Sequence, residues 1–341
     1  MSSFPPLVFD LPTIWALIIA FGLMMYVVMD GFDLGIGILF PFIRDRGDRD
    51  TMINTVAPVW DGNETWLVLG GAALLAAFPL AYSVLLSALY LPLVAMLAGL
   101  IWRGVAFEFR FKADEAHRPF WDQAFAWGSY IATISQGICL GAFLNGFKVT
   151  GPSYGGGAFD WLSLFSLHTG FGLVIAYALL GATWLIMKTE GPLHDRMVAL
   201  ARPILLVLLA VTGVVSLWTP LTHPEIAARW FTLPGLVWFS PVPILDLAAA
   251  GALLYALRKD WHIAPFLLAL VLLFLGYSGL GISLWPHIIP PNVSIEDAAG
   301  PASSLSFTLV GAVLIIPCIL AYTGWAYWVF RGKVKAGEGY H

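Results

Sequence analysis

The stretch LPTIWALIIAFGLMMYVVMDGFDLGIGILF at residues 11–40 decides the fold class of this chain. It is almost wholly apolar, and it is longer than the ~20 residues that an α-helix needs to cross the hydrocarbon core of a bilayer. The apolar run does not stop at Asp30 and Asp33, which lie well inside it. Because a carboxylate in lipid is costly, acids at such positions need a protein or water environment and usually have a function.

The composition extends this conclusion to the whole chain of 341 residues. Hydrophobic residues make up 59%, charged residues only 11%, and there are 15 Trp, far from the values of a soluble domain. The sequence predicts an all-α polytopic membrane protein, a single domain over residues 1–341, with about nine transmembrane helices. Their predicted centres are residues 27, 70, 93, 133, 175, 209, 248, 275 and 317. The first helix is expected to be retained, because no basic segment precedes it and its apolar run exceeds that of a cleaved signal.

The distribution of Lys and Arg predicts the orientation, because short cytoplasmic loops keep the basic residues. With the N-terminus outside, the predicted spans leave only Lys148 and Arg229 on the outer side, and the C-terminus is cytoplasmic. The other 15 of the 17 basic residues fall on the inner side: Arg44, Arg46, Arg49, Arg103, Arg110, Lys112, Arg118, Lys188, Arg196, Arg202, Arg258, Lys259, Arg331, Lys333 and Lys335.

A second acidic motif, WDGNETWL at residues 60–67, stands at the start of the next apolar run. If that helix begins near Ile53, Asp61 lies ~12 Å from the inner surface, and Asp33 lies ~13 Å from it, at 1.5 Å per residue. Glu108 is expected where the third helix re-emerges on the inner side. These acids are therefore predicted to gather in the cytoplasmic half of the membrane.

Burying these acids is expensive. Each Asp at the centre of a span costs ~2.5–3.5 kcal/mol on an insertion scale, so Asp30, Asp33 and Asp61 together cost on the order of 8–10 kcal/mol. A cost comparable to the net stability of a domain favours a function, or carboxyls that stay protonated or paired. Arg103 is expected to hold a nearby carboxylate ionised, because its own charge is permanent. Small residues near Asp30 and Asp33 allow another helix to approach closely: Gly31, Gly35 and Gly37.

Structural explanations of the acids stay open at this point. Asp30 and Asp33, which share a helix face, could each hydrogen-bond across helices as structural groups. The segment Asp61–Gly62–Asn63 could form an N-terminal helix cap at a shallower depth. Glu64 would then only favour the positive end of the helix dipole.

Histidines decide whether the chain could hold haem or copper. Of the seven, only His168 lies near the interior of a predicted span, so no pair is available for a six-coordinate haem, and no metal ligands are predicted. His168 is expected to be a hydrogen-bonded core residue. The single Cys139 and Cys318 are expected to pack as small apolar residues. Motifs for nucleotide hydrolysis and proteolysis are absent, and no nucleic-acid partner is predicted.

Five motifs, in order and with the spacing of the predicted spans, resemble subunit II of the cytochrome bd quinol oxidases. They are DGFDLGIG at 30–37, APVWDGNETWL at 57–67, WRGVAFEFR at 102–110, GATWLIMKTEGPL at 181–193 and GISLWPHIIPP at 281–291. The resemblance covers nearly the full length. The form WRGVAFEFR and the short outer loops are closer to the branch called cyanide-insensitive quinol oxidase.

The resemblance implies a complex in the bacterial cytoplasmic (inner) membrane that oxidises quinol, reduces oxygen to water and takes up protons from the cytoplasm. It implies that the haems, b and d or b only, belong to a partner, subunit I. Subunit II is then a haem-free chain of two four-helix bundles plus one peripheral helix that supports assembly of subunit I. A structural quinone and a small accessory subunit are features of the complex for which no residues are assigned here, and lipids surround it.

The resemblance also implies roles for individual residues. Carried over motif by motif, the proton pathway comprises Asp61, Glu108, Asp33 and Asp30, with Trp60, Asn63 and Arg103 in support. Trp60 is expected to pack toward the partner subunit. Val59 and Glu64 depart from the HWDGNQ form of other members, and Glu108 stands where some members have Asp. These departures change the polarity and the geometry expected at the inlet.

Two other functional classes fit the acids without the resemblance. A proton-coupled secondary transporter shows acid pairs beside glycine-interrupted helices, and it would be active without a partner. A scaffold with no proton function would tolerate both Asp61→Asn and Glu108→Gln without a change in turnover.

Overall fold

The computed structural model describes residues 9–334, so residues 1–8 and 335–341, including Lys335 and His341, lie outside the described part. The helices are α1 (Leu11–Leu39), α2 (Arg46–Asn54), α3 (Trp60–Ala77), α4 (Pro79–Ala88), α5 (Tyr90–Lys112), α6 (Arg118–Asn145), α7 (Leu164–Lys188), α8 (Gly191–Thr222), α9 (Pro224–Phe231), α10 (Gly235–Phe239), α11 (Pro241–Arg258), α12 (Ala264–Leu284), α13 (Ile295–Ala298) and α14 (Ala302–Val329). Two short antiparallel hairpins lie in loops: β1 (Val149–Thr150) with β2 (Ser153–Tyr154), and β3 (His287–Ile289) with β4 (Val293–Ser294).

The prediction of a helical membrane protein is confirmed. Each of the nine predicted span centres falls within a helix, and seven helical segments within residues 9–334 are long and apolar enough to cross a membrane. These are Leu11–Phe42, Tyr90–Lys112, Leu164–Lys188, Gly191–Thr222, Gly235–Arg258, Ala264–Leu284 and Ala302–Val329. The remaining two centres lie in α3 and α6, which do not reach that apolarity. The count of nine spans, their orientation and their division into two four-helix bundles stay predictions.

Helix α1 lies at the centre of the packing and contacts α3, α6 and α7. Asp10 caps its start by accepting a hydrogen bond from the backbone N–H of Thr13 at 2.9 Å. Residues 29–39 of α1 are all buried, and so is Phe40, the first residue of the following 3₁₀ turn. A helix segment that is buried on every side packs against neighbouring helices all around it, whereas a surface helix buries only one apolar stripe.

Glycines allow the neighbouring helices to approach one another closely. A Cβ at Gly35 would lie 1.9 Å from the carbonyl oxygen of Tyr177, and a Cβ at Gly181 would lie 2.5 Å from the carbonyl carbon of Gly35. The backbones of α1 and α7 are therefore in direct contact. The same holds for α5 and α6, where a Cβ at Gly99 would lie 2.7 Å from the carbonyl oxygen of Gly128.

The connection between α1 and α3 differs from the prediction. The prediction of a helix that begins near Ile53 and continues through Asp61 is wrong. Helix α2 ends at Asn54, and the chain turns through residues 55–59 before α3 begins at Trp60. Pro58 lies in this turn, and a proline disfavours helical backbone at the residue before it. Asp61 is thus in the first turn of α3, and the depth of ~12 Å loses its basis. The N-cap is Val59, and no side chain of the motif caps the helix.

Candidate functional site in the buried acid network

The core of the site is an ion pair between α1 and α5. Nη1 of Arg103 donates a hydrogen bond to Oδ1 of Asp30 at 2.7 Å, and the side chains of both residues are 0% exposed. The close packing of α1, α6 and α7 excludes solvent from this pair. A fully buried guanidinium and carboxylate stabilise each other only while both remain, because either one alone would be an uncompensated buried charge.

Helix α3 adds a second acid and an amide to this pair. Nη2 of Arg103 donates to Oε1 of Glu64, whose side chain is 27% exposed. Nδ2 of Asn63 donates to Oδ2 of Asp33 at 2.8 Å and to the carbonyl oxygen of Met29 at 3.3 Å. Arg103 therefore bridges a buried acid on α1 to a partly exposed acid on α3, and Asn63 connects the second acid of α1 to the same helix.

Helix α14 completes the network on its other side. The hydroxyl of Tyr327 donates to Oδ1 of Asn63 at 2.9 Å. A cavity of about 20 Å³ lies beside these two side chains, between α14 and the start of α3. A cavity of this size with polar groups in its wall can hold a water molecule. Its lining residues are Pro58, Val59, Gly62, Asn63, Tyr322, Thr323, Ala326 and Tyr327.

The acids of this network are not fully hydrogen-bonded. Oδ2 of Asp30 and Oδ1 of Asp33 are buried and have no hydrogen-bond partner among the described residues. These two acids and Glu64 surround a single guanidinium, that of Arg103. Arg103 donates hydrogen bonds to Asp30 and Glu64 but not to Asp33. Buried polar atoms are nearly always satisfied, so these oxygens are sites where a proton or an ordered water completes the bonding.

A chain of neutral polar groups extends from the acids along α1. Tyr26 lies one helical turn before Asp30, and its hydroxyl accepts a hydrogen bond from Nε2 of Gln136 at 2.7 Å. Oε1 of Gln136 accepts from the hydroxyl of Tyr177 at 3.1 Å. The ring of Tyr177 packs against Gly31, where a Cβ would come within 2.9 Å of it. The polar interior thus continues from α1 into α6 and α7.

The structure separates two predicted acids from this network. Asp61 is exposed, although it shares a face of α3 with Glu64 three residues later. The side chain of Glu108 is 62% exposed, and its nearest cation is Lys112 on the same helix at 3.5 Å. The Trp60 indole stacks on Phe107 of this chain with ring centres 4.9 Å apart, while its expected contact with a partner stays a prediction.

A second charged cluster, not predicted from the sequence, fastens the ends of α2, α5 and α6. The buried Arg110 donates to Oδ1 of Asp122 and to Oδ1 of Asp50, both at 2.6 Å. Nη1 of Arg49 donates to Oδ2 of Asp122 at 2.8 Å. Every acid in this cluster has a basic partner. Such pairing is typical of ion pairs that hold helix ends together, and not of groups that carry protons.

The described residues of the spans do not fit a haem with two histidine ligands. His168 is half-buried, and its Nε2 lies 3.3 Å from the carbonyl oxygen of Val211, as expected for a hydrogen-bonded core residue. Within the described residues of the spans no second histidine faces it. A six-coordinate haem needs a pair of axial ligands, so no step of the chemistry is assigned to a haem on this chain.

Sequence reasoning missed several members of the network. The sequence singles out Glu64 through the helix dipole and as a departure from the family motif, but it does not predict the ion pair that Glu64 forms with Arg103. Tyr26, Tyr177 and Tyr327 carry no charge, and a tyrosine in a span is usually an interfacial residue, so no pattern singled them out. Their common feature is a hydroxyl on the helix that carries Asp30 and Asp33, or on a helix that packs against it.

The chain matches known proteins over nearly its whole length. A family model described as cytochrome bd terminal oxidase subunit II matches residues 11–330. The chain is 31% identical to the cytochrome bd-I ubiquinol oxidase subunit 2 of Escherichia coli (strain K12), with 94% of each chain covered. It is 27% identical to the cytochrome bd ubiquinol oxidase subunit 2 of Bacillus subtilis (strain 168), covering 96% of this chain and 98% of that one.

A solved structure also resembles the fold. A chain of the bd oxidase from Geobacillus thermodenitrificans superimposes with a TM-score of 0.72, covering 92% of this chain and 97% of the other. The two sequences are only 17% identical, so this comparison concerns the fold alone.

Proposed function

Because the chain belongs to the subunit II family of cytochrome bd terminal oxidases, we propose that its buried acid network conducts protons to the site of oxygen reduction in the assembled complex. The complex is an oxidoreductase, and its substrates are a quinol and oxygen. Reducing oxygen to water consumes protons, which a site inside the membrane must receive along a polar path. The network around Arg103 is the polar path that this chain offers.

The charge balance of the network is the observation that carries the proposal. Asp30, Asp33 and Glu64 are three carboxyls around one guanidinium, so full ionisation would leave two negative charges without a cation, and of the three carboxyls only Glu64 is partly exposed to solvent. Such charges are far less costly when a proton neutralises them. Asp33 is the best site for that proton, since its partner is the amide of Asn63 and not a cation. A carboxyl that holds a proton in the interior can also pass it on.

Exposure decreases stepwise along the proposed route. Asp61 is exposed, Glu64 is partly buried on the same face of α3, and Asp30 and Asp33 are fully buried on α1. The cavity beside Tyr327 supplies a second approach for water to Asn63 and Asp33. We place Glu108 at the surface near the entrance, where it collects protons without joining the buried relay.

We assign the cytoplasmic face to the entrance, because the predicted orientation puts 15 of the 17 basic residues on that side. We assign the haems, b and d or b only, to subunit I, since the described residues of this chain offer no pair of axial histidines. In this proposal the chain supports assembly of subunit I in the bacterial inner membrane and supplies it with protons.

Steady-state oxygen consumption by the purified complex tests the proposal. Asp33→Asn and Asp61→Asn are expected to lower turnover per haem by about 10²-fold, the scale on which positioned proton-transfer groups contribute. The haem spectrum should stay unchanged. Asp114→Asn, at an exposed acid between α5 and α6, is the matched control and should keep full turnover.

Two outcomes would contradict the proposal. Full turnover in both variants would leave the acids with a structural role. Loss of haem together with turnover would indicate that they act in assembly and not in proton transfer.

A further inference from the structure

Three side chains with metal-ligating atoms meet where α8 begins and α11 is followed by α12. His194 lies in the first turns of α8, and Asp260 and His262 lie in the loop between α11 and α12. One nitrogen from each histidine and one carboxylate oxygen of Asp260 all lie within 4.8 Å of one another. This cluster, named here the α8–α12 cluster, is remote in sequence from the acid network.

His194 is oriented for an additional ligand. Its side chain is only 4% exposed, and its Nδ1 lies 3.2 Å from Oδ1 of Asp195. Its Nε2 is buried, has no hydrogen-bond partner among the described residues, and lies 3.7 Å from Oδ1 of Asp260. A carboxylate that accepts from Nδ1 fixes the tautomer in which Nε2 presents a lone pair, as is usual for metal-bound histidines. The unpaired nitrogen therefore points into the cluster as a donor atom.

The geometry of the cluster suits a tetrahedral ion. The ring centres of His194 and His262 are 4.7 Å apart, and two imidazoles on one zinc ion have ring centres roughly 5 Å apart. Asp260 and His262 are both exposed, so their side chains can rotate. Rotation can bring the three ligand atoms to the spacing of roughly 3.3 Å that Zn–N and Zn–O bonds of about 2.0–2.1 Å require.

The local charge also favours a cation. Nζ of Lys333 lies 3.5 Å from Nδ1 of His262. That ammonium is neutralised by Glu190, whose Oε1 lies 3.0 Å away. Oxygens of Asp195 and Asp260 lie 3.2 Å and 3.7 Å from the two ring nitrogens of His194, which favours a cation beside the neutral imidazoles.

We propose that His194, Asp260 and His262 bind one divalent transition-metal ion, with Asp195 positioning His194. Two imidazoles and one carboxylate are a ligand set typical of Zn²⁺, with water in the remaining position. The ion would join the start of α8 to the loop between α11 and α12, and thereby fix the ends of three helices. This site is independent of the proposed proton pathway.

Zinc binding to the purified complex tests the site. After treatment with a chelator, the complex is dialysed against buffered Zn²⁺, and the bound zinc is measured by elemental analysis. The wild type is expected to bind one more Zn²⁺ per complex than His262→Ala or Asp260→Asn, whose exposed positions make misfolding no concern. His117→Ala is the matched control, because His117 is an exposed histidine paired with Asp114 at 2.7 Å.

The partner of His194 provides the second readout. Asp195→Asn is expected to keep the stoichiometry and to weaken zinc binding by about 10–100-fold, as for other carboxylate partners of metal-bound histidines. Equal zinc content and affinity in the wild type and His262→Ala would overturn the proposal. Equal loss in His117→Ala and His262→Ala would overturn it as well, since binding would then be nonspecific.

Discussion

Replacing Arg103 with methionine is expected to destabilise the complex strongly, because it leaves the Asp30 carboxyl without its cation. Both side chains are 0% exposed and are joined by a hydrogen bond of 2.7 Å, so Asp30 has no access to bulk water. Removing one partner of a buried ion pair costs about 3–5 kcal/mol. At about 2 °C per kcal/mol, the temperature of unfolding should fall by roughly 6–10 °C.

A second substitution separates loss of the charge pair from loss of packing. Asp30→Asn alone keeps the contact between Arg103 and Glu64, so we expect a smaller cost of about 1.5–3 kcal/mol. In the double variant Arg103→Met, Asp30→Asn, neither buried partner is charged, and Glu64 is exposed enough to be hydrated. The double variant should therefore be more stable than Arg103→Met alone.

Thermal unfolding of the purified complex, followed by tryptophan fluorescence, measures these differences. The haem spectrum before heating checks that each variant has assembled. An unfolding temperature of Arg103→Met within 2 °C of wild type would refute the reasoning about the buried pair. If the loss of stability in the double variant equals the sum of the losses in the two single variants, the coupling between Arg103 and Asp30 is refuted.

Two further predictions concern packing and pH. Gly35→Ala places a Cβ 1.9 Å from the carbonyl oxygen of Tyr177 and should cost at least the 1–3 kcal/mol typical of overpacking, measured as a lower yield of assembled complex. Gly213→Ala, where a Cβ meets nothing within 4 Å, should leave the yield unchanged. At the start of α13, hydrogen bonds from the Ser294 side chain and backbone lower the pKa of Asp297 below its usual 3.8. The cap thus stabilises this turn above pH 3.8 and is lost as the pH falls through the lowered value. Asp297→Asn should accelerate amide exchange of residues 293–299 at pH 6, and this acceleration should shrink as the pH is lowered below 3.8; an acceleration that does not change with pH would contradict the assignment.

The helices of this chain could be predicted because a span leaves a long apolar run. All nine predicted centres lie in helices of the structure. The acids could be singled out for the same reason, since a charge inside such a run is conspicuous. The ends of an apolar run are less well marked in the sequence. The prediction places the start of this helix near Ile53, whereas the turn that contains Pro58 delays the start of α3 to Trp60.

The pairing of the acids could not be predicted, because it depends on how the helices pack. Arg103 and Asp30 are 73 residues apart, and no local pattern connects them. The position of Glu108 could have been inferred from helical periodicity. Five residues after Arg103 correspond to a rotation of about 140° on an α-helix, so Glu108 points away from the side that carries the buried guanidinium.

Proton uptake during reoxidation tests the central claim most directly. The reduced complex is mixed with oxygen in weakly buffered solution, and a pH indicator reports protons taken from the medium while haem absorbance reports electron transfer. For Asp33→Asn with normal haem content, the account predicts that proton uptake slows by about 10²-fold and that oxygen reduction stalls with it. Proton uptake at the wild-type rate in Asp33→Asn would contradict the claim that protons pass through the acid network of this chain.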